Sequence, residues 1–114
     1  MGFEKVFDLD ALPVGQARAV EVAGEPVCVV RLDEATVKAV HDTCSHQQYS
    51  LSEGYIEDND IECALHGSMF NLDSGHPDAL PAVKPIPVYA CKVAEGAVWV
   101  DGDQQLNDAP VPRH

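Results

Sequence analysis

Basic residues are scarce in this chain. Seven Lys and Arg stand against 19 Asp and Glu, which gives a formal net charge of -12 at pH 7. A surface of this sign repels nucleic acids and anionic membranes, because both present negative phosphates. We therefore expect neither as a partner, and a basic protein surface fits the charge better. The same charge keeps copies of a small protein apart, so we also expect a monomer.

Long apolar segments are absent as well. The first twelve residues carry Glu4, Asp8 and Asp10 and never form the apolar run that a signal peptide requires. No later stretch has the length and apolarity of a transmembrane helix. Together these absences predict a cytoplasmic protein without a membrane segment.

The chain is too short for more than one modest core. Its 114 residues predict a single domain, and eight Pro and eight Gly indicate many turns. Short apolar segments typical of strands recur along it, at 3–7, 16–22, 25–32, 36–41, 88–93 and 97–100. The pairs Ala23-Gly24 and Glu95-Gly96 favour tight hairpin turns, and the apolar run at 27–30 suits a strand buried on both faces. No helix longer than a turn or two is indicated. The pattern predicts an all-β fold, a sandwich or barrel.

Two of the four cysteines lie close to a histidine. One residue separates Cys44 from His46, and two residues separate Cys63 from His66. Each pair offers one thiolate and one imidazole. Four such ligands can hold a zinc ion, or a two-iron two-sulfur cluster in which the thiolates bind one iron and the imidazoles the other. The spacing alone leaves both possibilities open.

The arm between the two Cys-His pairs has the pattern of a β-hairpin. Residues 54–57 and 60–63 flank Asp58-Asn59, a favourable turn pair. Because a hairpin brings its two ends together, we expect both pairs to meet at one tip. The other two cysteines, Cys28 and Cys91, lie in apolar stretches, and we predict that they are small buried hydrophobic residues rather than ligands.

The sequence around the ligands resembles a known motif. Cys44-Ser-His-Gln-Gln-Tyr-Ser-Leu-Ser-Glu-Gly54 and Asp60-Ile-Glu-Cys-Ala-Leu-His-Gly-Ser68 are similar to the cluster-binding motif of Rieske proteins. Within that family the chain most resembles the small Rieske-type ferredoxins that feed electrons to bacterial aromatic-ring-hydroxylating dioxygenases. Residues 70–77 and 80–89 resemble the segments that follow the motif in these ferredoxins. The resemblance extends from Phe3 to Val100.

The resemblance implies a Rieske fold for the single domain over residues 1–114. Its antiparallel base would comprise about residues 3–41 and 81–101, and a small cluster-binding subdomain about residues 42–80. We expect the polar tail, residues 102–114, to be poorly ordered.

The resemblance also implies one Rieske-type 2Fe-2S cluster and assigns its ligands. Cys44 and Cys63 would hold the inner iron, and His46 and His66 the outer, exposed iron. The two histidines would then also be the exit for the electron and the place where a partner docks. Six further residues would surround the cluster, namely Tyr49, Leu65, Gly67, Ser68, Phe70 and Pro81.

Four of these surrounding residues bear on the reduction potential. High-potential Rieske proteins carry a disulfide at the positions of Tyr49 and Leu65 and a Tyr hydroxyl at the position of Phe70. This chain can form neither, although it keeps Ser68. Hydrogen bonds to the cluster stabilise its reduced form, because that form carries more negative charge. A cluster that accepts fewer of them is therefore harder to reduce. We predict a potential near the low end of the Rieske range of roughly -150 to +300 mV.

The function implied is that of an electron carrier rather than an enzyme. It would pass single electrons from an NAD(P)H-dependent flavin reductase to the terminal oxygenase of a dioxygenase system. The Rieske-like small subunit of nitrite reductase is an alternative, although many such subunits lack the cluster ligands. A structural zinc domain is another, but it gives no role to the turn at residues 51–54 or to the proline-rich stretch around Pro81.

Overall fold

The computed structural model describes residues 2–43, 50–63, 69–77 and 85–109. Within these ranges, nine strands form two antiparallel sheets, and there are two 3-10 turns. The strands are β1 (Glu4–Asp8), β2 (Ala17–Val22), β3 (Glu25–Arg31), β4 (Val37–His41), β5 (Tyr55–Glu57), β6 (Asp60–Glu62), β7 (Met69–Asn71), β8 (Val88–Ala94) and β9 (Ala97–Gln105). The 3-10 turns are Leu9–Ala11 and Leu51–Glu53. None of the helical turns in the described ranges is long and apolar enough to cross a membrane.

The larger sheet has the strand order β1-β9-β8-β4-β3-β2, with antiparallel neighbours throughout. It curls until its two ends approach each other. Gly102 of β9 lies so close to the opposite edge strand that a Cβ on it would be 2.9 Å from Val22 Cγ1 and 3.0 Å from Ala23 Cβ. The sheet is therefore nearly a barrel, which confirms the predicted all-β fold.

Local turn chemistry sets the hairpins of this sheet. Ala23 and Gly24 join β2 to β3 with φ angles of 52° and 80°, and Glu95 and Gly96 join β8 to β9 with φ angles of 54° and 72°. Positive φ at both central residues is the geometry of two-residue turns that match the twist of the strands. Both hairpins confirm the sequence-based prediction.

Strand β3 is buried on both faces, as its apolar run predicts. Val27 and Val29 belong to one core cluster, together with Leu12, Val98 and Val100. Cys28 and Val30, which alternate with them, belong to a second cluster, together with Leu51, Ile61, Cys63, Phe70, Leu72 and Ile86. Because side chains of a strand alternate between faces, β3 separates the two cores.

The smaller sheet, in the order β5-β6-β7, packs on the second core through Ile61 of β6 and Phe70 of β7. The turn between β5 and β6 lies at Asp58, whose φ is 53°, and this confirms the predicted hairpin of the arm. Strand β7 was not predicted, because three residues are too few for a periodic pattern and no turn pair marks it as Asp58-Asn59 marks the equally short β5 and β6. The whole sheet lies inside the range expected for the cluster-binding subdomain.

The expectation of a poorly ordered tail from residue 102 is wrong for its first part. Strand β9 continues to Gln105, which pairs with Tyr89 of β8. The backbone N–H of Leu106 donates to Val88 O at 2.7 Å, and Ala109 is buried. Backbone pairing needs no apolar side chains, so the polar composition of this segment is misleading. Residues 110–114 lie outside the described ranges.

Candidate metal centre

The chain enters and leaves the first ligand segment, residues 44–49, at one place. Thr43 and Ser50, which flank it, form an antiparallel bridge. Next to this bridge, the backbone N–H of Leu51 donates to Asp42 O at 2.6 Å. The segment itself lies outside the described residues, but its two ends are fixed side by side.

The Asp42 carboxylate ties these ends together a second time. It is 5% exposed, and its Oδ1 accepts a hydrogen bond from the backbone N–H of Ser52 at 2.8 Å. Its Oδ2 accepts a hydrogen bond from the Ser50 hydroxyl. A buried carboxylate is stabilised by such donors. The base of the first ligand segment is therefore built around Asp42.

Asp42 also affects the pKa of Cys28, although burial is the larger cause. Burial raises the pKa of the fully buried Cys28 thiol well above its usual value, and the charge of Asp42 and a hydrogen bond to it raise this pKa further. Cys91 is only partly buried, which corrects the prediction for it. Its thiol donates to Val37 O at 3.3 Å, and desolvation raises its pKa to about 11. A raised pKa disfavours the thiolate, which is the form in which cysteine binds a metal ion.

The second ligand segment, residues 63–68, is bracketed by strands. Glu62 of β6 pairs with Met69 of β7, so the chain again leaves and returns at one place. Cys63 directly follows β6, is fully buried and has its side chain in the second core cluster. Phe70 of β7 is fully buried in the same cluster.

A glycine brings together the residues that flank the two ligand segments. At Gly54, just after the 3-10 turn that follows the first segment, a Cβ would lie only 1.6 Å from Glu62 O and 3.3 Å from Leu51 O. Only glycine permits this approach, since any side chain would overlap the carbonyl. The backbone beyond the first segment therefore packs directly against the residue that precedes Cys63.

Of the ten predicted site residues, the structure describes Cys63 and Phe70, and both lie in one core. The other eight lie outside the described residues: Cys44, His46, Tyr49, Leu65, His66, Gly67, Ser68 and Pro81. Their roles stay predictions. Sequence reasoning missed Asp42, Ser50 and Ser52. The hydrogen bonds that Ser50 and Ser52 donate to Asp42, here called the clamp, follow no recognisable spacing and form only in the folded chain.

The described geometry joins the flanks of the two segments through the contact between Gly54 and Glu62 O. Among the described residues alone, no group of three or more His, Cys, Asp or Glu side chains could hold a metal ion. Ligands for a centre in this region would thus come from Cys63 and the two bracketed segments. The donor set there, two thiols and two imidazoles, is the one that a Rieske cluster requires.

Replacing Asp42 by asparagine is expected to destabilise the base of the first ligand segment by about 1–3 kcal/mol, because hydrogen bonds to a charged carboxylate are replaced by weaker bonds to a neutral amide. Urea unfolding followed by circular dichroism would measure this change. Asp108→Asn is the matched control, since Asp108 is exposed and loses the same charge. We expect the control to stay within about 0.5 kcal/mol of the parent protein. Equal unfolding midpoints for the two variants would show that the clamp contributes nothing.

Comparison with known proteins agrees with this centre. Residues 3–90 match the Rieske [2Fe-2S] domain, and the chain belongs to that family, whose cofactor is one Rieske-type 2Fe-2S cluster. The chain is 39% identical over 84 residues to the anthranilate 1,2-dioxygenase ferredoxin subunit of Burkholderia cepacia, covering 73% of this chain and 77% of that protein. It is 36% identical over 101 residues to the biphenyl 2,3-dioxygenase ferredoxin component of Rhodococcus jostii strain RHA1, covering 89% and 94% respectively.

A solved structure shows the same fold. The chain superposes with a TM-score of 0.83 and 36% identity on a chain from the complex of reduced oxygenase and oxidised ferredoxin in carbazole 1,9a-dioxygenase, covering 91% of this chain and 96% of that chain. Within the Rieske family, the protein is therefore a Rieske-type ferredoxin of the kind found in aromatic-ring dioxygenase systems.

Proposed function

We propose that this protein is a one-electron carrier that takes electrons from an NAD(P)H-dependent flavin reductase and delivers them to the terminal oxygenase of an aromatic-ring dioxygenase. The observation that carries the proposal is the pair of bracketed ligand segments: Asp42 ties the two ends of the first segment together, and Gly54 packs against Glu62, which precedes the second. The names of the relatives support the dioxygenase system over a nitrite reductase subunit. On this proposal the chain is not itself an enzyme, because its partners carry out the bond chemistry.

We assign the ligands as the motif implies. Cys44 and Cys63 would hold the inner iron, and His46 and His66 the outer iron, where the electron would enter and leave. When bound, the cluster supplies a site that stores one electron. The described residues hold the ligand segments in place, and the buried side of Cys63 is shielded from water by the second core. Phe70, which has no hydroxyl group, cannot donate a hydrogen bond to the cluster, so a potential near the low end of the Rieske range is expected.

Electron paramagnetic resonance of the dithionite-reduced protein, together with iron and sulfide analysis, tests the proposal. We expect the rhombic signal of a His-ligated two-iron cluster, with iron and acid-labile sulfide in equal amounts. A silent spectrum with zinc and no sulfide would overturn it. Electron transfer is then tested by mixing the protein with a flavin reductase and the terminal oxygenase and following reduction and reoxidation of the cluster.

The charge of the surface supports docking to a basic partner. The described Lys and Arg side chains are engaged within the molecule: Lys5 with Asp8, Arg18 over Phe7, Arg31 with backbone carbonyls such as Leu12 O, Lys38 with Asp73, and Lys92 over Phe3. Meanwhile Glu53, Glu57 and Asp58, on the arm, are exposed. The arm therefore presents negative charge beside the ligand segments.

Reversing two of these charges is expected to slow reduction by the reductase. The variant is Glu53→Lys with Glu57→Lys, and Asp58 is kept because its φ of 53° disfavours lysine. Steering by charge contributes about tenfold or more to association at low salt and little at high salt. The control reverses two exposed charges elsewhere, Glu21→Lys with Glu34→Lys. Equal rates for both double variants at low salt would rule out steering by the arm.

A further inference from the structure

The side chain of Asn107, beyond the end of β9, has every hydrogen-bonding position filled. Its Nδ2 donates to Ser74 O and to Ile86 O, both at 2.8 Å. Its Oδ1 accepts from the backbone N–H of Val88 at 3.0 Å and from Gln105 Nε2 at 3.1 Å. A primary amide has two N–H donors and two acceptor lone pairs, so this one is saturated. The two carbonyls and the backbone N–H also fix which end of the amide is nitrogen.

These bonds join three segments that are distant in sequence. Asn107 belongs to the C-terminal segment, Ser74 to the turn after β7, and Ile86 and Val88 to the stretch that enters β8. Ser74 lies 33 residues from Asn107 along the chain. Backbone bonds reinforce the junction, since Ile86 N–H donates to Gly75 O at 2.9 Å. Asn107 is thus the central member of a three-way junction.

Gly75 shows how closely the junction is packed. A Cβ on this residue would lie 2.1 Å from Ile86 O and 2.7 Å from Asn107 Nδ2, and its φ of 75° is a conformation that favours glycine. The turn after β7 can approach Asn107 only because this position lacks a side chain.

The junction is connected to the second ligand segment through β7. This strand begins directly after that segment and ends at Asn71. Asn71 Oδ1 accepts from Ser74 N–H at 3.0 Å, and Asn71 O accepts from Gly75 N–H at 2.8 Å. A continuous series of hydrogen bonds therefore leads from Asn107 through the turn to the strand that leaves the ligand segment.

We propose that Asn107 is a positioning residue for the cluster: it fixes the turn after β7 and, through that turn, the strand that follows the second ligand segment. The inference rests on the proposed ligands Cys63 and His66. The positioning role requires the amide of Asn107 itself. A carboxylate could accept from Val88 N–H but could not donate to Ser74 O or Ile86 O. Loss of these donors would leave two partly buried carbonyl groups without the bonds that Asn107 donates.

The test uses the cluster-loaded protein and the variants Asn107→Asp and Asn107→Ala. The first readout is the rate at which iron passes to a chelator at urea concentrations well below the unfolding transition. We expect release to be about tenfold faster, which corresponds to about 1.4 kcal/mol. We also expect it to be nearly independent of urea, because local opening exposes little surface.

The second readout is the reduction potential. If the strand is less firmly held, water reaches the cluster more easily and stabilises its reduced, more negative form, so the potential rises in both variants. Gln104→Glu is the control for Asn107→Asp, because it adds the same charge at an exposed position of β9. The control should match the parent protein in both readouts.

A milder variant covers the case in which the Asn107 variants do not fold. Gln105→Ala removes one partner of Asn107 Oδ1 from an exposed position, and we expect smaller changes in the same direction. Variants that unfold at lower urea but release iron at the parent rate and keep its potential would show a purely structural role and overturn the inference. The iron and sulfide content of the parent protein is measured before any variant. If the parent protein binds no cluster, the proposed function is refuted, and the inference about Asn107 is not what failed.

Discussion

Cys63→Ser is expected to abolish cluster binding, with loss of the visible absorption, the paramagnetic signal of the reduced protein, and bound iron and sulfide. A serine hydroxyl is a much weaker ligand for iron than a thiolate. Cys63 is fully buried directly after β6, where no other described thiol can replace it. Cys28 hydrogen-bonds to Asp42, and Cys91 donates to a backbone carbonyl. Iron and sulfide analysis of the purified variant measures the loss.

The matched control is Cys91→Ser. The serine hydroxyl can donate to Val37 O as the thiol does, and the side chain is only partly buried, so we expect a normal cluster content. A full complement of iron and sulfide in Cys63→Ser would contradict the ligand assignment. Loss of the cluster in both variants would mean that the experiment reports general destabilisation.

Gly54→Ala is expected to lower the free energy of unfolding by about 3 kcal/mol or more, at the upper end of the effects of overpacking. The new Cβ would lie 1.6 Å from Glu62 O, so the backbone at residue 54 and the end of β6 would have to move apart. The backbone at Gly54 has φ of -91°, which alanine adopts without strain. The penalty is therefore steric, and it falls at the junction of the two segments. Since a small domain has about 5–15 kcal/mol of stability in total, we also expect a reduced cluster content.

Gly24→Ala separates this steric effect from the ordinary cost of replacing a glycine. Gly24 has φ of 80° but no atom within 4 Å of the added Cβ, so only the left-handed conformation is penalised. That cost is roughly 1–2 kcal/mol. Urea unfolding of both variants, followed by circular dichroism, gives the comparison. If Gly54→Ala proved as stable as Gly24→Ala, the close contact between the segments would not exist in solution.

Local features of the sequence were sufficient to predict much of the fold. The turn pairs Ala23-Gly24, Asp58-Asn59 and Glu95-Gly96 lie in hairpins, as expected, because turn geometry depends on adjacent residues. The run Val27–Val30 predicted a strand buried on both faces, and the structure places it between two cores. The Cys-His pairs and their flanking residues indicated the Rieske family, which the match over residues 3–90 confirms.

The sequence by itself thus predicted the class of fold from local turns and short-range periodicity. The family and the kind of cofactor came from the resemblance of residues 44–54 and 60–68 to the cluster-binding motif of Rieske proteins, because the ligand spacing alone also fits zinc. Only the tertiary structure showed which contacts fix the residues around the ligand segments. Asp42 binds the backbone that follows the first segment, Gly54 packs against Glu62, and Asn107 binds the turn after β7. The tertiary structure also extended β9 through a polar stretch. These contacts join residues that are distant in sequence, and no periodic pattern specifies which distant backbone groups a polar side chain or a glycine will meet once the chain has folded.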